Sequence, residues 1–123
     1  MGGHNNTAAI IVGLSAVLGR RGFDAQRLSP WYFPSAAAYR EKLEEAGFSV
    51  EEIGILPRPT ALPTPIEPWL DTFTQSFLGV LPESDRLPAR AEVAELLRPV
   101  LMDETGTWIA DYVRLRFRAM LPV

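Results

Sequence analysis

The stretch Thr107 to Met120, TWIADYVRLRFRAM, constrains the fold of this chain more than any other. Ile109, Val113, Leu115, Phe117 and Ala119 alternate with Tyr112, Arg114, Arg116 and Arg118, the period of two of a strand that shows different faces to different surroundings. The spacing predicts one long strand, and the other segments must pack around it. Upstream, Val50, Ile53, Ile55 and Leu56 favour a second strand, while Pro57 and Pro59 cannot donate to a ladder and push its later half toward an edge. Val50–Leu56 is the natural partner of Thr107–Met120.

Most of the remaining segments read as helices. Asn5 or Asn6 is expected to cap a helix from about Thr7 to Arg21, its side-chain carbonyl accepting from an amide of the first turn. Ala8, Ile11, Val12, Ser15 and Leu18 fall on one face of it, with Ile10, Leu14 and Val17 beside them. Gly22 suits the left-handed position that ends such a helix. Ser35 caps a second helix to about Ala46, ended by Gly47. Thr64, Pro65, Ile66 and Glu67 match a capping box and open a third helix, with Trp69, Leu70, Phe73, Phe77 and Leu78 on one side. A fourth, interrupted or begun afresh at Pro88, shows Val93, Leu96, Leu97, Val100 and Leu101. The pattern predicts an α/β chain, α+β in isolation, with about four helices packed on a small antiparallel sheet formed by Val50–Leu56 and Thr107–Met120. Residues 1–123 are expected to form a single domain without repeats or linkers.

Composition narrows the function classes. A net charge of -3 gives no basic excess, so the chain as a whole is not expected to bind nucleic acid. Without cysteine there is no disulfide framework and no thiolate metal site, and His4 alone cannot build a histidine cluster, so no metal is expected. The longest apolar run, Ala8 to Leu14, is far short of the roughly 20 residues that span a bilayer. A cytoplasmic protein that does not engage a membrane is the expectation.

The order of motifs is more specific than any one of them. A Gly2-Gly3-x-x-Asn6 segment at a strand end leads into a helix. The cluster Pro30-Trp31-Tyr32-Phe33-Pro34-Ser35 follows, then a helix ending in Ala46-Gly47-Phe48, and a strand running into Arg58-Pro59-Thr60. A helix beginning near Pro68-Trp69-Leu70, the run Glu95-Leu96-Leu97-Arg98-Pro99 and finally Ala110-Asp111-Tyr112-Val113-Arg114-Leu115 complete the order. Over essentially the whole chain this resembles the C-terminal half of a class I S-adenosylmethionine-dependent methyltransferase of the small-molecule type, similar to trans-aconitate 2-methyltransferases. The resemblance implies a truncated Rossmann-like fold. Family members hold the cofactor on a Gly-rich turn and an acidic residue in their first half, and neither feature occurs here, so the isolated chain is not expected to bind S-adenosylmethionine. In the resembling fold MGGHNN sits at the end of the fifth strand, and the last strand lies between that strand and Val50–Leu56. The start at Met1 is therefore expected to leave an open edge. Buried groups left unbonded cost about 1–3 kcal/mol each, so a homodimer, or a complementing N-terminal methyltransferase half, is expected to cover it.

The resemblance places His4, Asn5 and Asn6 at the mouth of a substrate pocket. There His4 can act as a general acid or base, with Tyr32 beside it in that role, and the amides can orient a carboxylate or carbonyl. The opposing reading is a solvated terminal histidine and a helix-capping amide. Trp31 can wall a pocket or fill a core. Arg114, Arg116 and Arg118 share one strand face and need partners: Glu92, Glu95 or Asp103 would make them structural, and an anionic substrate would make Arg114 and Arg116, with Arg58, functional. Three readings follow: a truncated methyltransferase-like protein handling a small organic molecule, a repurposed enzyme for a cofactor-free isomerisation, cyclisation or dehydration at a homodimer interface, and a non-catalytic interaction module.

Overall fold

The computed structural model describes residues 1–122; Val123, the last residue of the expected single domain, lies outside the described residues. In chain order the elements are α1 (Ala8–Arg20), α2 (Ala25–Leu28), α3 (Ala36–Glu45), β1 (Ser49–Pro57), β2 (Thr60–Ala61), α4 (Ile66–Phe73), α5 (Gln75–Leu78), α6 (Glu83–Leu101), β3 (Ile109–Ala110) and β4 (Val113–Met120). They divide into two compact units. A strand unit takes Met1–Asn6, Tyr32–Pro59 and the chain from Tyr112 onward, and a helical unit takes Thr7–Trp31 and Thr60–Asp111.

In the strand unit β1 and β4 pair antiparallel, with Ile53 opposite Phe117, Ile55 opposite Leu115 and Pro57 opposite Val113, and a bulge between Val50 and Glu52. Helix α3 packs on β1, and its Tyr39 ring lies 5.4 Å from that of Phe117. On the other side of β4 the first residues of the chain add a short third segment. Gly2 pairs antiparallel with Arg114, the Gly3 amide donates to the Val113 carbonyl (3.0 Å) and the Leu115 amide to the Met1 carbonyl (2.8 Å).

The mixed α and β architecture and the antiparallel sheet agree with the sequence expectation, and the differences have local causes. The long C-terminal strand is two strands. Ile109 and Ala110 pair with Ala61 and Thr60, and β4 starts only at Val113, after the Tyr112 carbonyl has accepted from the Arg58 amide at 2.7 Å. From Ile109 to Ala119 only Asp111 departs from the apolar row of odd positions, a single interruption that a continuous strand also tolerates. There are six helices rather than about four among the described residues. The aromatic segment is preceded by α2, whose first turn is capped by the Asp24 carboxylate accepting from the Gln26 amide at 3.0 Å. The third predicted helix breaks at buried Thr74, whose hydroxyl donates back to the Leu70 carbonyl at 2.5 Å, a bond that competes with the helix ladder. The fourth does not break: α6 runs through both Pro88 and Pro99.

The core of the helical unit sits between α1 and α6 and under α4 and α5. Ile10, Leu14, Val17 and Leu18 are buried on α1, Val93, Leu97 and Leu101 on α6, and Ile66, Leu70 and Phe77 on the helices between. The buried stripe of α1 is therefore not the one expected through Ala8, Ile11, Val12 and Ser15, and Val12 is exposed. Gly13 sets the approach of the two long helices, since a Cβ there would lie 3.1 Å from the Leu97 Cδ2.

Two predicted caps fail and two predicted helix ends hold. Neither Asn5 nor Asn6 caps α1; the N-cap is Thr7, left-handed at φ 53°. The Thr64 capping box does not form, because Thr64 precedes the Pro65 N-cap by one residue and its hydroxyl donates to the Pro65 carbonyl instead (3.1 Å). Ser35 caps α3 by accepting from the Ala38 amide at 3.1 Å. Gly22 and Gly47, at φ 84° and 95°, take the left-handed positions after α1 and α3. Among the described residues no helix is long and apolar enough to cross a membrane.

Candidate functional site

Of the expected site residues, His4, Asn5 and Asn6 lie in the turn that opens the chain. A side chain is excluded at Gly2, where a Cβ would come within 2.7 Å of the Phe33 ring, and Gly3 is nearly as tight against Leu115 (3.3 Å). These two glycines thus let the backbone lie flat on Phe33 and β4. The Asn6 amide donates back to the Gly3 carbonyl (2.9 Å), closing a turn, and the His4 amide donates to the Pro34 carbonyl (2.9 Å). Asn5, inside the turn, is left-handed at φ 69°, which asparagine tolerates better than most residues.

Within this frame the side chains separate into two groups. His4 and Asn5 are exposed. Asn6 is turned inward, its Oδ1 accepting the Val113 amide at 2.8 Å, so it positions the start of β4. Tyr32, two residues before the Pro34 that holds His4, is half exposed, and the Lys42 ammonium sits 4.5 Å from its ring centroid, within range of a cation–π contact. His4 and Tyr32 therefore flank the same stretch of the strand unit. Trp31 parts company with Tyr32. It belongs to the helical unit, its ring 5.2 Å from Phe77 and 6.4 Å from Trp69, so it packs as a core residue there.

The arginines stand on the outer face of β4. Arg114, Arg116 and Arg118 alternate with inward Leu115 and are exposed. The Arg114 guanidinium lies 5.5 Å from the Tyr112 ring, Arg118 pairs loosely with Glu51 (3.9 Å), and Arg116 lines a shallow depression with Glu52, Gly54 and Leu56. Arg58 is exposed at the end of β1, its amide bonded to the Tyr112 carbonyl. The carboxylates expected to partner these arginines are engaged elsewhere. Glu92 bonds Arg21, which holds its carboxyl below the usual range, and Glu95 pairs with Arg98 at 3.0 Å. Asp103 accepts from the Thr105 hydroxyl and from the amides of Thr107 and Thr105, which likewise lower its pKa. Glu95 and Asp103 find donors within their own helix or turn, and Glu92 finds Arg21 just past the end of α1, the helix packed against α6.

One polar residue at the head of α1 escaped the sequence reading. The Asp111 Oδ2 accepts the Ala9 amide at 2.8 Å, and its carbonyl accepts the Thr7 amide at 3.0 Å, so a residue 102 positions away does the capping expected of a neighbour. Its Oδ1 is buried with no hydrogen-bond partner. Burial raises its pKa, opposed by the Ala9 amide. The signal available in the sequence was an aspartate interrupting a strand pattern, where that residue is depleted. Thr7 beside it is a β-branched residue at positive φ, a strained state that persists only where surrounding bonds hold it.

The two small residues that open the chain do not fit a nucleotide. Gly2 and Gly3 approach Phe33 and Leu115 rather than an open cradle, and neither is followed by the Gly-rich spacing a nucleotide turn requires. Among the described residues no group of three or more His, Cys, Asp or Glu is arranged to hold a metal ion. Arg58, Arg114 and Arg116 present exposed cations at β1 and β4, and His4, Asn5 and Tyr32 are exposed beside the opening turn.

No family model matches the chain. It is 33% identical over 121 residues to a protein of Schizosaccharomyces pombe described as an uncharacterized methyltransferase, a match covering 96% of this chain and 46% of that protein. The chain thus spans about half the length of the relative it matches. Over nearly its whole length, this sequence is similar to that relative.

Proposed function

We propose that this chain is the substrate-side portion of a class I S-adenosylmethionine-dependent methyltransferase-like protein, corresponding to the C-terminal half of enzymes similar to trans-aconitate 2-methyltransferases. It holds a small organic carboxylate and does not by itself bind the cofactor. The observation that carries this reading is a similarity running through almost all of this chain and less than half of a methyltransferase. The use of Gly2 and Gly3 for packing supports the second clause. Arg114, Arg116 and Arg58 supply the charge for a carboxylate, which a guanidinium can meet with two parallel bonds. His4 and Asn5, exposed on the turn, orient the rest of the molecule.

Calorimetric titration tests both clauses. Small polycarboxylates should give saturable heat with the purified chain, lost in an Arg114→Ala, Arg116→Ala double variant, and S-adenosylmethionine should give none. Tight binding of S-adenosylmethionine would overturn the claim about the cofactor, and polycarboxylate binding unchanged by the double variant would overturn the assignment of the arginines.

A second reading rests on the exposure of His4 and Tyr32 on either side of Pro34. In it the two serve as acid and base for a cofactor-free isomerisation, cyclisation or dehydration. His4→Ala and Tyr32→Phe should then each depress turnover, and equal rates in both would remove it.

A further inference from the structure

Residues of α4, α5 and the first half of α6 line a cavity of about 410 Å³ within the helical unit, and its whole lining comes from positions 70–90. That volume is in the range of pockets that hold small ligands. Leu70, Leu78 and Leu87 make its apolar part, and Arg86, Arg90 and Asp71 supply its charges. The two arginines stand four residues apart on α6, a spacing that sets side chains together on one helix face and makes like charges repel. Arg86 is fixed by main-chain carbonyls, its Nε donating to Leu81 and its Nη2 to Gly79, both at 3.0 Å. Arg90 has one hydrogen-bond partner among the described residues: its Nη1 donates to the Asp71 Oδ2 at 2.7 Å, and its Nε is buried with no acceptor. Buried polar atoms are nearly always bonded, so a cationic donor left over in a cavity wall marks a place for an acceptor. One carboxylate against two guanidiniums leaves the hollow positive.

We infer that this cavity binds a small organic monocarboxylate, the carboxylate bridging Arg86 and Arg90 and the apolar body lying on Leu70, Leu78 and Leu87. A guanidinium meets a planar carboxylate along one edge with two parallel bonds. On Arg90 the edge formed by Nε and Nη2 is the one that Asp71 does not use. Asp71 holds the group at a single point, so a shift of the side chain turns that edge toward the cavity. A bound anion also offsets the repulsion between the two cations. The charge argues for a monoanion. Asp71 already offsets one guanidinium, so a carboxylate brings the site to neutrality, whereas a phosphate dianion would add a negative charge that Asp71 repels at short range. Every residue of this site belongs to the helical unit, so it is separate from the cations of β4 and does not depend on the function proposed for them.

Hexanoate is the probe, titrated into isotope-labelled protein and followed through the arginine Nε–H resonances. Those of Arg86 and Arg90 should shift together and saturate. Arg86→Gln removes the charge while keeping a donor, and should weaken hexanoate on the order of tenfold, the usual worth of one bond to a charged group. Asp71→Asn keeps an oxygen for Arg90 but removes the competing negative charge, and should tighten hexanoate severalfold, a gain that loss of structure does not produce. Neutral hexanol and inorganic phosphate should each bind more weakly than hexanoate. No saturable shift at Arg86 and Arg90, shifts confined to Arg114 and Arg116, or an affinity unchanged in both variants would each overturn the site. Hexanol binding as tightly as hexanoate would overturn the role of the guanidiniums, and phosphate binding as tightly would overturn the monocarboxylate. Should Arg86→Gln fail to fold by circular dichroism, Asp71→Asn decides alone.

Discussion

In the helical unit Ile10, Leu14, Leu18, Ile66, Leu70 and Phe77 are fully withdrawn from water, whereas in the strand unit the buried residues are Gly3, Pro34 and Leu115. The first is held by side chains filling a shared interior. The second is held by backbone pairing, β1 on one side of β4 and Met1 to Gly3 on part of the other, with α3 contributing no buried residue at all. The comparison teaches that the strand unit rests on backbone pairing more than on side-chain burial, and that the exposed candidate residues His4, Tyr32, Arg58, Arg114 and Arg116 lie on it.

The largest effect should come from the helical interior. Phe77→Ala is expected to cost about 3–5 kcal/mol, close to the whole stability of a small domain, and chemical denaturation should show the helical signal lost at far lower denaturant. In the strand unit Leu115→Ala removes the one large apolar side chain buried there among the described residues and should cost roughly 2 kcal/mol. Amide exchange should locate that loss in β1, β4 and residues 1–6 while α1 and α6 keep their protection; equal loss in α6 would end the distinction drawn between the units.

Smaller effects sharpen the picture at the two helix starts. Asp111→Asn keeps an oxygen for the Ala9 amide and removes a carboxylate whose ionisation burial resists. A carboxyl whose folded-state pKa is raised is favoured in its protonated form, so its contribution to stability is present at acid pH and is lost as pH rises through that raised value. The melting temperature of Asp111→Asn should therefore exceed that of the wild type at neutral pH and converge on it toward acid pH; a gap independent of pH would assign the effect to packing. The smallest change is expected from Ser35→Ala, about 1 kcal/mol, seen as faster exchange at the first turn of α3 and little shift in global melting.

The elements that depend on near neighbours were legible in the sequence. Gly22 and Gly47 end helices because only a residue without Cβ takes their positive φ cheaply. Ser35 caps α3 because its hydroxyl needs to reach only three residues ahead. The pairing of Val50–Leu56 with the last strand was legible because period-two patterns in two segments of similar length left few other partners. The head of α1 was not. Asn6 has the chemistry of a cap, but its carbonyl is taken by Val113, and the cap comes from Asp111. The partition of Pro30 to Pro34 was equally hidden: Trp31 packs on Phe77 and Trp69 while the next residue faces Lys42 and solvent.

The amino-acid order by itself determined where α1 and α3 stop, that β1 and β4 extend, and the likeness to a methyltransferase, since these follow from φ preferences, side-chain period and residue identity over short spans. Tertiary structure alone decided that the last strand breaks at Asp111 and Tyr112 and that Met1 to Gly3 pair with its far side. It also placed Asp111 on α1. Each of these depends on which distant donor meets which acceptor once both chains of contacts are in place, and a bond between residues 102 apart leaves no periodic trace in the sequence.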